Sequence, residues 1–133
     1  MLTAPLISGN DLRHMPEATR KVLVNHDVIA VDQDPLGIEA FKYSDKDSIQ
    51  TWFKPLTGGD WAVCFINRGS RAQQVNFDFQ ATTIVDSLSN RSLDKNIGYK
   101  IRDLWNGNDL GTTKKPVKAI VGSHDVLMLR LNH

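Results

Sequence analysis

Two carboxylates separated by one residue are the closest approach in this sequence to a catalytic pair. Asp45 and Asp47 lie in the run Ser44-Asp45-Lys46-Asp47, and two carboxyl groups held near each other can divide general acid and base work between them. The run lies between Tyr43 and Ile49 and has the composition of a turn. We therefore expect neither aspartate to be catalytic.

The histidines, the cysteine and the serines form no pattern of metal ligands or of an activated nucleophile. The histidines lack metal-ligand spacing, and a single cysteine adds no second ligand. The residues concerned are His14, His26, His124, His133 and Cys64. Ser8, Ser44 and Ser123 lie in no nucleophile-elbow string, and Ser123 beside His124 is not triad geometry. We expect no metal, no cofactor and no catalytic residue in this chain, and we expect His124 to close a hairpin.

Aromatic side chains suggest a second kind of chemistry, stacking on sugar rings. The candidates are Trp52, Trp61, Trp105, Tyr43 and Tyr99, and an exposed set would make the chain a carbohydrate-binding module. The alternative is that they fill a core, as large aromatics commonly do. Trp61 is expected in the core because it shares a strand face with Val63 and Phe65, whereas Trp105 precedes a turn and is expected to be partly exposed. Trp52 could face either way.

Size and charge exclude several classes of protein. The chain has 133 residues, enough for one ordinary domain, and its 16 basic and 15 acidic residues give a formal charge of +1. This balance offers no electrostatic footprint for nucleic acid. No apolar run approaches the ~20 residues needed to span a bilayer, and the first residues lack the basic start of a signal peptide. We expect neither nucleic acid nor membrane as a partner, and the sequence assigns the chain to no cellular compartment.

The first residues are expected to form a strand followed by a helix. Residues 2–7 are apolar apart from Thr3 and do not alternate, as in a strand buried on both faces, although Pro5 is awkward in a central strand. Asn10 or Asp11 can cap a helix whose first turn holds Pro16 and Glu17 and which ends near residues 26–27.

The residues after this helix allow two interpretations before a turn. Residues 28–31, Val-Ile-Ala-Val, could form a strand or a short second helix. Asp34-Pro35-Leu36-Gly37 is typical of a turn. We place a domain boundary at this turn.

The remaining sequence predicts short strands separated by turns, which indicates a sandwich or barrel. The turn Thr57-Gly58-Gly59-Asp60 separates two strands, and Trp61–Asn67 is apolar on both faces. The predicted strands are 49–54, 61–67, 73–80, 99–105, 117–121 and 126–131, the last two as a pair. The predicted core comprises Val63, Phe65, Val75, Phe77, Phe79, Leu127 and Leu129.

Several stretches resemble family 27 glycoside hydrolases, the α-galactosidases and α-N-acetylgalactosaminidases. They are Ala4-Pro5-Leu6-Ile7 to Asp11-Leu12-Arg13, the run Val28-Ile29-Ala30-Val31-Asp32-Gln33-Asp34-Pro35-Leu36-Gly37, Trp61-Ala62-Val63 to Asn67-Arg68, Arg102-Asp103-Leu104-Trp105, and Ser123-His124-Asp125-Val126-Leu127-Met128-Leu129. They follow the family's order over nearly the whole chain. The connection 81–97 departs from the family by its length, and the sequence assigns it no fold.

The resemblance implies a fold that is mainly β. Residues 1–37 would be a remnant of the last strand-helix unit of a truncated (β/α)₈ barrel, and residues 38–133 an antiparallel C-terminal β-sandwich of the Greek-key type. The seven preceding barrel units are expected to be missing, and Met1 matches an internal methionine of the family pattern, which favours a truncated or mis-set start. Orphaned apolar side chains are then expected on Leu2, Leu6, Ile7, Val22, Leu23, Val28 and Ile29.

The resemblance also implies the activity of the parent enzyme, retaining hydrolysis of terminal α-galactosyl groups. That reaction needs two carboxylates about 5 Å apart, which the family places in Lys-Tyr-Asp-Trp-Cys-like and Arg-Ser-Asp-Asp-like strings of its barrel. Neither string occurs in this sequence. We therefore expect a fragment that is inactive alone and that packs on and stabilises the barrel. The alternatives are a carbohydrate-binding sandwich and a structural module for self-association.

The loop Ile7-Ser8-Gly9-Asn10 is the part expected nearest to the parent's active site. In such barrels, function lies at the C-terminal ends of the strands, so this loop would help to form the rim of the pocket. The alternative is a plain strand-to-helix turn in which Gly9 supplies backbone freedom.

Overall fold

The structure is a computed structural model that describes residues 1–11 and 13–133. Two short helices, α1 (Glu17–Leu23) and α2 (His26–Asp32), precede ten strands, and a 3₁₀ turn at Thr57–Gly59 joins the second strand to the third. The strands are β1 (Phe41–Lys46), β2 (Ile49–Pro55), β3 (Trp61–Asn67), β4 (Gln73–Phe77), β5 (Val85–Asp86), β6 (Arg91–Ser92), β7 (Lys100–Asp103), β8 (Asp109–Thr112), β9 (Val117–Val121) and β10 (Val126–Asn132). The prediction of a mainly β chain with a helical segment before it is confirmed.

The strands pair antiparallel in one large sheet and two small ones. The large sheet has the order β1-β2-β3-β10-β7-β8, and the small ones pair β4 with β9 and β5 with β6. The main core lies between the large sheet and the segments that face it, among them β4 and β9. Phe53, Phe65, Phe79 and Leu129 are fully buried in this core. The predicted antiparallel sandwich is therefore confirmed.

Alternation along β3 divides its side chains between two apolar clusters. Trp61, Val63 and Phe65 belong to the main core, whereas Ala62 belongs to a second cluster on the other face of the sheet. This period of two is what the sequence predicted for a strand covered on both sides. Of the seven predicted core residues, Phe77 and Leu127 are only partly buried, and both pack against the main core.

The second face of the large sheet is covered by α2. Val31 from this helix is fully buried against side chains of the sheet and its turns: Leu56, Ala62, Leu104 and Met128. Met1, Val28 and Trp105 pack at the margin of the same cluster. The sequence allowed either a strand or a short helix at residues 28–31, and the structure shows that they belong to a helix.

Two predictions for the first residues are wrong. Residues 2–7 form neither helix nor strand, because a strand of a parallel sheet needs neighbours for its peptide groups. Thr3 instead takes a positive φ of 54°, and Met1 accepts a hydrogen bond from the Ala40 N–H. The residue that caps α1 is Pro16, without a side-chain hydrogen bond, and neither Asn10 nor Asp11 caps it. Asp11 accepts a hydrogen bond from the Arg13 N–H in a separate turn.

The predicted pairing of the last two strands is also wrong. β9 pairs with β4 and β10 pairs with β3 and β7, so the turn Gly122–Asp125 carries the chain from one sheet to the other. His124 lies in this turn with a φ of +53° and donates its backbone N–H to Gly69. The expectation that His124 closes a hairpin is therefore wrong, because its turn joins strands of two different sheets.

Other differences concern the ends of strands. The strand predicted at 73–80 ends at Phe77, and the strand predicted at 99–105 spans only Lys100–Asp103. The unassigned connection 81–97 contains the short β5–β6 hairpin, which buries Ile84 and Leu93 in the main core.

Both outer strands of the large sheet are irregular. The pairing of β1 with β2 shifts register between Lys42 and Ser44, and the pairing of β7 with β8 shifts between Lys100 and Arg102. Every residue of β8 is exposed. Within residues 1–11 and 13–133, no helix is long and apolar enough to cross a membrane.

Candidate docking surface

Six large apolar side chains before the sandwich are exposed: Val24, and five that we call the N-terminal apolar surface. These five are Leu2, Leu6, Ile7, Val22 and Leu23, and Ile7 is the most exposed at 89%. Val28 and Ile29, the other two residues expected to be orphaned, are partly buried. The expectation of apolar side chains without a packing partner is therefore met for the residues before α2.

Four of these five side chains line a cleft of 330 Å³. One wall comes from Leu6, Ile7, Val22 and Leu23, and the base comes from α2, Trp105 and Met128. The lining is predominantly apolar, as in surfaces that bind another apolar surface. The cleft therefore lies where the first residues meet the outer face of the sandwich.

Trp105 contributes an unusual feature to the base of this cleft. Its ring is half-buried and packs against the second apolar cluster. Its Nε1 atom is buried and finds no hydrogen-bond partner among the residues that the structure describes. A buried donor without a partner costs about 1–3 kcal/mol. The apolar packing of the ring therefore has to outweigh the loss of a hydrogen bond from Nε1.

Beneath the cleft, polar side chains connect α2 to the sandwich. The fully buried Lys54 on β2 donates from Nζ to the carbonyl oxygens of Val31 (2.6 Å) and Asp32 (3.3 Å). It also donates to Thr3 Oγ1 at 2.8 Å. Burial lowers the pKa of this ammonium, while the Asp32 and Asp34 carboxylates act to raise it.

The residues just before and just after α2 are also hydrogen-bonded to the sandwich. Asn25 caps the helix by accepting from the Val28 N–H at 3.1 Å, and its Nδ2 donates to the Leu104 carbonyl oxygen at 2.9 Å. At the other flank, Asp34 Oδ1 accepts from both the backbone N–H (3.0 Å) and the hydroxyl (2.9 Å) of Thr57.

The carboxylates weighed as a catalytic pair lie elsewhere, on the hairpin of β1 and β2. Asp45 is exposed in β1, where it accepts from Gln50 at 2.7 Å and pairs with Lys42 at 3.6 Å. Asp47 lies in the turn with a φ of +51°. The prediction of a turn holds for Asp47, whereas Asp45 is a strand residue paired with its neighbours.

Ser8 and Asn10 bond to each other at 3.4 Å in an exposed loop. An added Cβ at Gly9 would meet no described atom within 4 Å, so close packing does not require this glycine. Among residues 1–11 and 13–133, no three metal-ligating side chains form a group.

The aromatic candidates do not all face solvent. Trp61 and Tyr99 are buried in the main core, as predicted for Trp61. Trp52 is half-buried and pairs with Cys64 across β2 and β3, and Trp105 is half-buried at the cleft.

Comparison with known proteins agrees with the fold. The family of the alpha galactosidase C-terminal beta sandwich domain matches residues 46–131. The chain belongs to this family. Alpha-galactosidase A of Cellvibrio japonicus is 38% identical over 133 residues, which cover 98% of this chain and 32% of that protein. Alpha-galactosidase 3 of Arabidopsis thaliana is 34% identical over 132 residues, with coverage of 96% and 28%.

A solved structure of an alpha-galactosidase also matches nearly the whole of this chain. The crystal structure of alpha-galactosidase I from Mortierella vinacea superposes with a TM-score of 0.79 at 26% identity, over 97% of this chain and 32% of that one. The chain spans about a third of the length of the curated relatives that it matches. The resemblance stated from the sequence is confirmed, and the match extends through α1 and α2.

The sequence reasoning missed the polar residues that hold α2. Lys54 carried a signal, since it alternates with Thr51 and Phe53 and therefore points to the second face of the sheet. Asn25 carried another, since an asparagine directly before a helix is a preferred cap. Both signals depend on knowing that a helix covers that face.

Proposed function

We propose that this chain is the non-catalytic C-terminal part of an α-galactosidase-like glycoside hydrolase, and that it packs on the catalytic barrel through the N-terminal apolar surface. The observation that carries this proposal is the position of that surface. Exposed apolar side chains are concentrated before the sandwich, around one cleft. In the family fold this is where the barrel would continue.

The proposal includes a division of the chain. Residues 1–37 correspond to the last strand-helix unit of the barrel, and residues 38–133 to the sandwich. Several side chains of the first segment would complete their packing only against other barrel units. Burying one such side chain contributes roughly 1.5–3 kcal/mol, so the surface as a whole favours association.

The absence of hydrolysis by the chain alone is the first test. We expect no release of the aryl group from an aryl α-galactoside above a buffer blank, because neither family aspartate string is present. Activity that Asp45→Asn or Asp47→Asn abolished would assign catalysis to the β1–β2 hairpin. Activity that survived both changes would reveal a site elsewhere.

Self-association is the second test, because an unoccupied apolar surface favours contact with another copy. Sedimentation velocity of the chain should show concentration-dependent association, and Ile7→Asp should weaken it. Ile120→Asp is the matched control, since Ile120 is 78% exposed on β9, in the small sheet. Equal behaviour of the two variants, or a monomer at every concentration, would remove the support for docking.

A carbohydrate-binding role has weaker support. Two of the five candidate aromatics, Trp61 and Tyr99, are buried in the core and present no face to a ligand. The exposed large apolar residues of the sandwich are spread over four parts of the fold, β1, the β5–β6 hairpin, β8 and β9: Tyr43, Val85, Leu88, Leu110 and Ile120. Scattered residues of this kind are ordinary, which favours docking through the N-terminal apolar surface over a contact on the sandwich.

A further inference from the structure

The two helices differ in how they are attached to the rest of the molecule. Every side chain of α1 is exposed or half-buried, and the ion pair between Arg20 and Glu17 lies within the helix. In contrast, α2 buries Val31 completely and Asp32 almost completely. The two helices are adjacent in sequence, yet only the second shares a core with the sheet.

Polar contacts hold α2 at both ends. At its beginning, Asn25 donates to the Leu104 carbonyl oxygen beyond β7, and Arg102 pairs with Asp27 at 3.1 Å. At its end, the Lys54 ammonium donates to the last carbonyl oxygens of the helix. A cation at that position also interacts favourably with the helix dipole.

The Lys54 contacts are more than an added surface ion pair. The side chain is fully buried, so its charge requires acceptors that replace water. Two of its three acceptors are backbone oxygens of α2, and the third is Thr3 Oγ1. The two backbone contacts fix the position of α2 relative to β2. Moving α2 away would leave both the ammonium and the helix carbonyls to find new partners.

We propose that residues 25–37, which we call the α2 segment, are a fixed part of the sandwich, with Lys54 as the positioning residue. Of the two helices in the proposed barrel unit of residues 1–37, α2 then moves with the sandwich and α1 does not. That α1 lies beside a barrel rests on the proposed function. The attachment of the α2 segment to the sandwich does not, and it can be tested in this chain alone.

Hydrogen exchange of the whole chain, followed residue by residue, measures this attachment. The reporter amides for α2 are Ile29 and Gln33, which donate to Asn25 and Ile29, and those for α1 are Arg20 and Val24. We expect the α2 amides to exchange at least about 100-fold more slowly than the α1 amides, because they open only with the sheet. Equal exchange in the two helices would overturn the proposal.

Lys54→Met tests the positioning role, since it keeps the length of the side chain and removes the donor. We expect protection of the α2 amides to fall at least about tenfold while β3 amides keep theirs. Lys100→Met, at an exposed position on β7, is the control and should change neither. If Lys54→Met and Lys100→Met give the same α2 protection, the positioning role is refuted.

A second variant covers the case in which Lys54→Met also unfolds the sheet. Asn25→Ala removes the cap and the Leu104 contact at the opposite end of α2. It should lower the protection of α2 and leave β3 unchanged. Unchanged α2 protection in this variant would contradict the proposal, whatever the state of Lys54→Met. None of these outcomes depends on whether a barrel binds.

Discussion

Replacing Val31 by alanine should lower the free energy of unfolding of the whole chain by about 2 kcal/mol. Val31 is fully buried, against Leu56, Ala62, Leu104 and Met128. The change removes two methyl groups, worth about 0.8 kcal/mol each, and the remaining cavity adds roughly 1 kcal/mol. The better helix propensity of alanine returns about 0.6 kcal/mol.

Urea unfolding followed by tryptophan fluorescence and by far-UV circular dichroism measures this change. The midpoint should fall while the dependence on urea stays constant, because the surface exposed on unfolding is nearly unchanged. Val22→Ala makes the same substitution in α1, where the side chain is 54% exposed. That control should stay within about 0.5 kcal/mol of the parent chain.

The reasoning would be refuted if the two variants had equal stability. In that case α2 would separate from the sheet before the sandwich unfolds, and Val31 would contribute nothing to the cooperative transition. A loss much larger than 2 kcal/mol, with a changed urea dependence, would indicate that the sandwich without α2 is no longer compact.

Two further substitutions and one labelling experiment test the core and its buried polar groups. Phe77→Ala should cost about 3 kcal/mol in urea unfolding, the lower end of the range for aromatics, because Phe77 is only partly buried; a loss below about 1 kcal/mol would contradict its place against the core. Thr113→Val should cost about 1–3 kcal/mol by the same assay, since the buried Thr113 hydroxyl accepts from the Tyr99 N–H at 3.1 Å; an unchanged midpoint would show that the N–H finds another acceptor. Cys64 should react with a thiol reagent at neutral pH only after unfolding, because burial raises the pKa of its thiol to about 12; rapid labelling of the folded chain would refute this.

The sandwich was largely predictable because strand periodicity is a local property. The alternation in Trp61–Asn67 fixed both faces of β3, and the glycines of the turn at Thr57–Gly59 marked the hairpin. Both depend on neighbouring residues alone. The partner of a strand is a different matter, and the wrong pairing of β9 with β10 shows why: a four-residue turn can close a hairpin or cross between sheets.

The candidate surface was predicted in part. Apolar residues such as Leu6 and Ile7 were expected to lack partners because the family resemblance places other units beside them. That residues 2–7 are not a strand follows from the same lack of neighbours, which the local pattern does not contain. The role of Lys54 could not be read from the sequence, since a lysine on a strand is usually exposed and only the three-dimensional position of α2 supplies its acceptors.

The irregular outer strands limit how copies of this chain can join. An outer strand with free peptide groups can add a strand from another molecule, and the sheet then grows into a fibre. Here the register shift at Lys42 and Ser44 in β1, and the positive φ of 89° at Gly111 in β8, disturb the regular spacing that such growth requires. Charged side chains on β1 oppose it further. If copies associate as proposed, these edges disfavour open-ended polymerisation and favour side-chain packing, which ends once the apolar surface is covered.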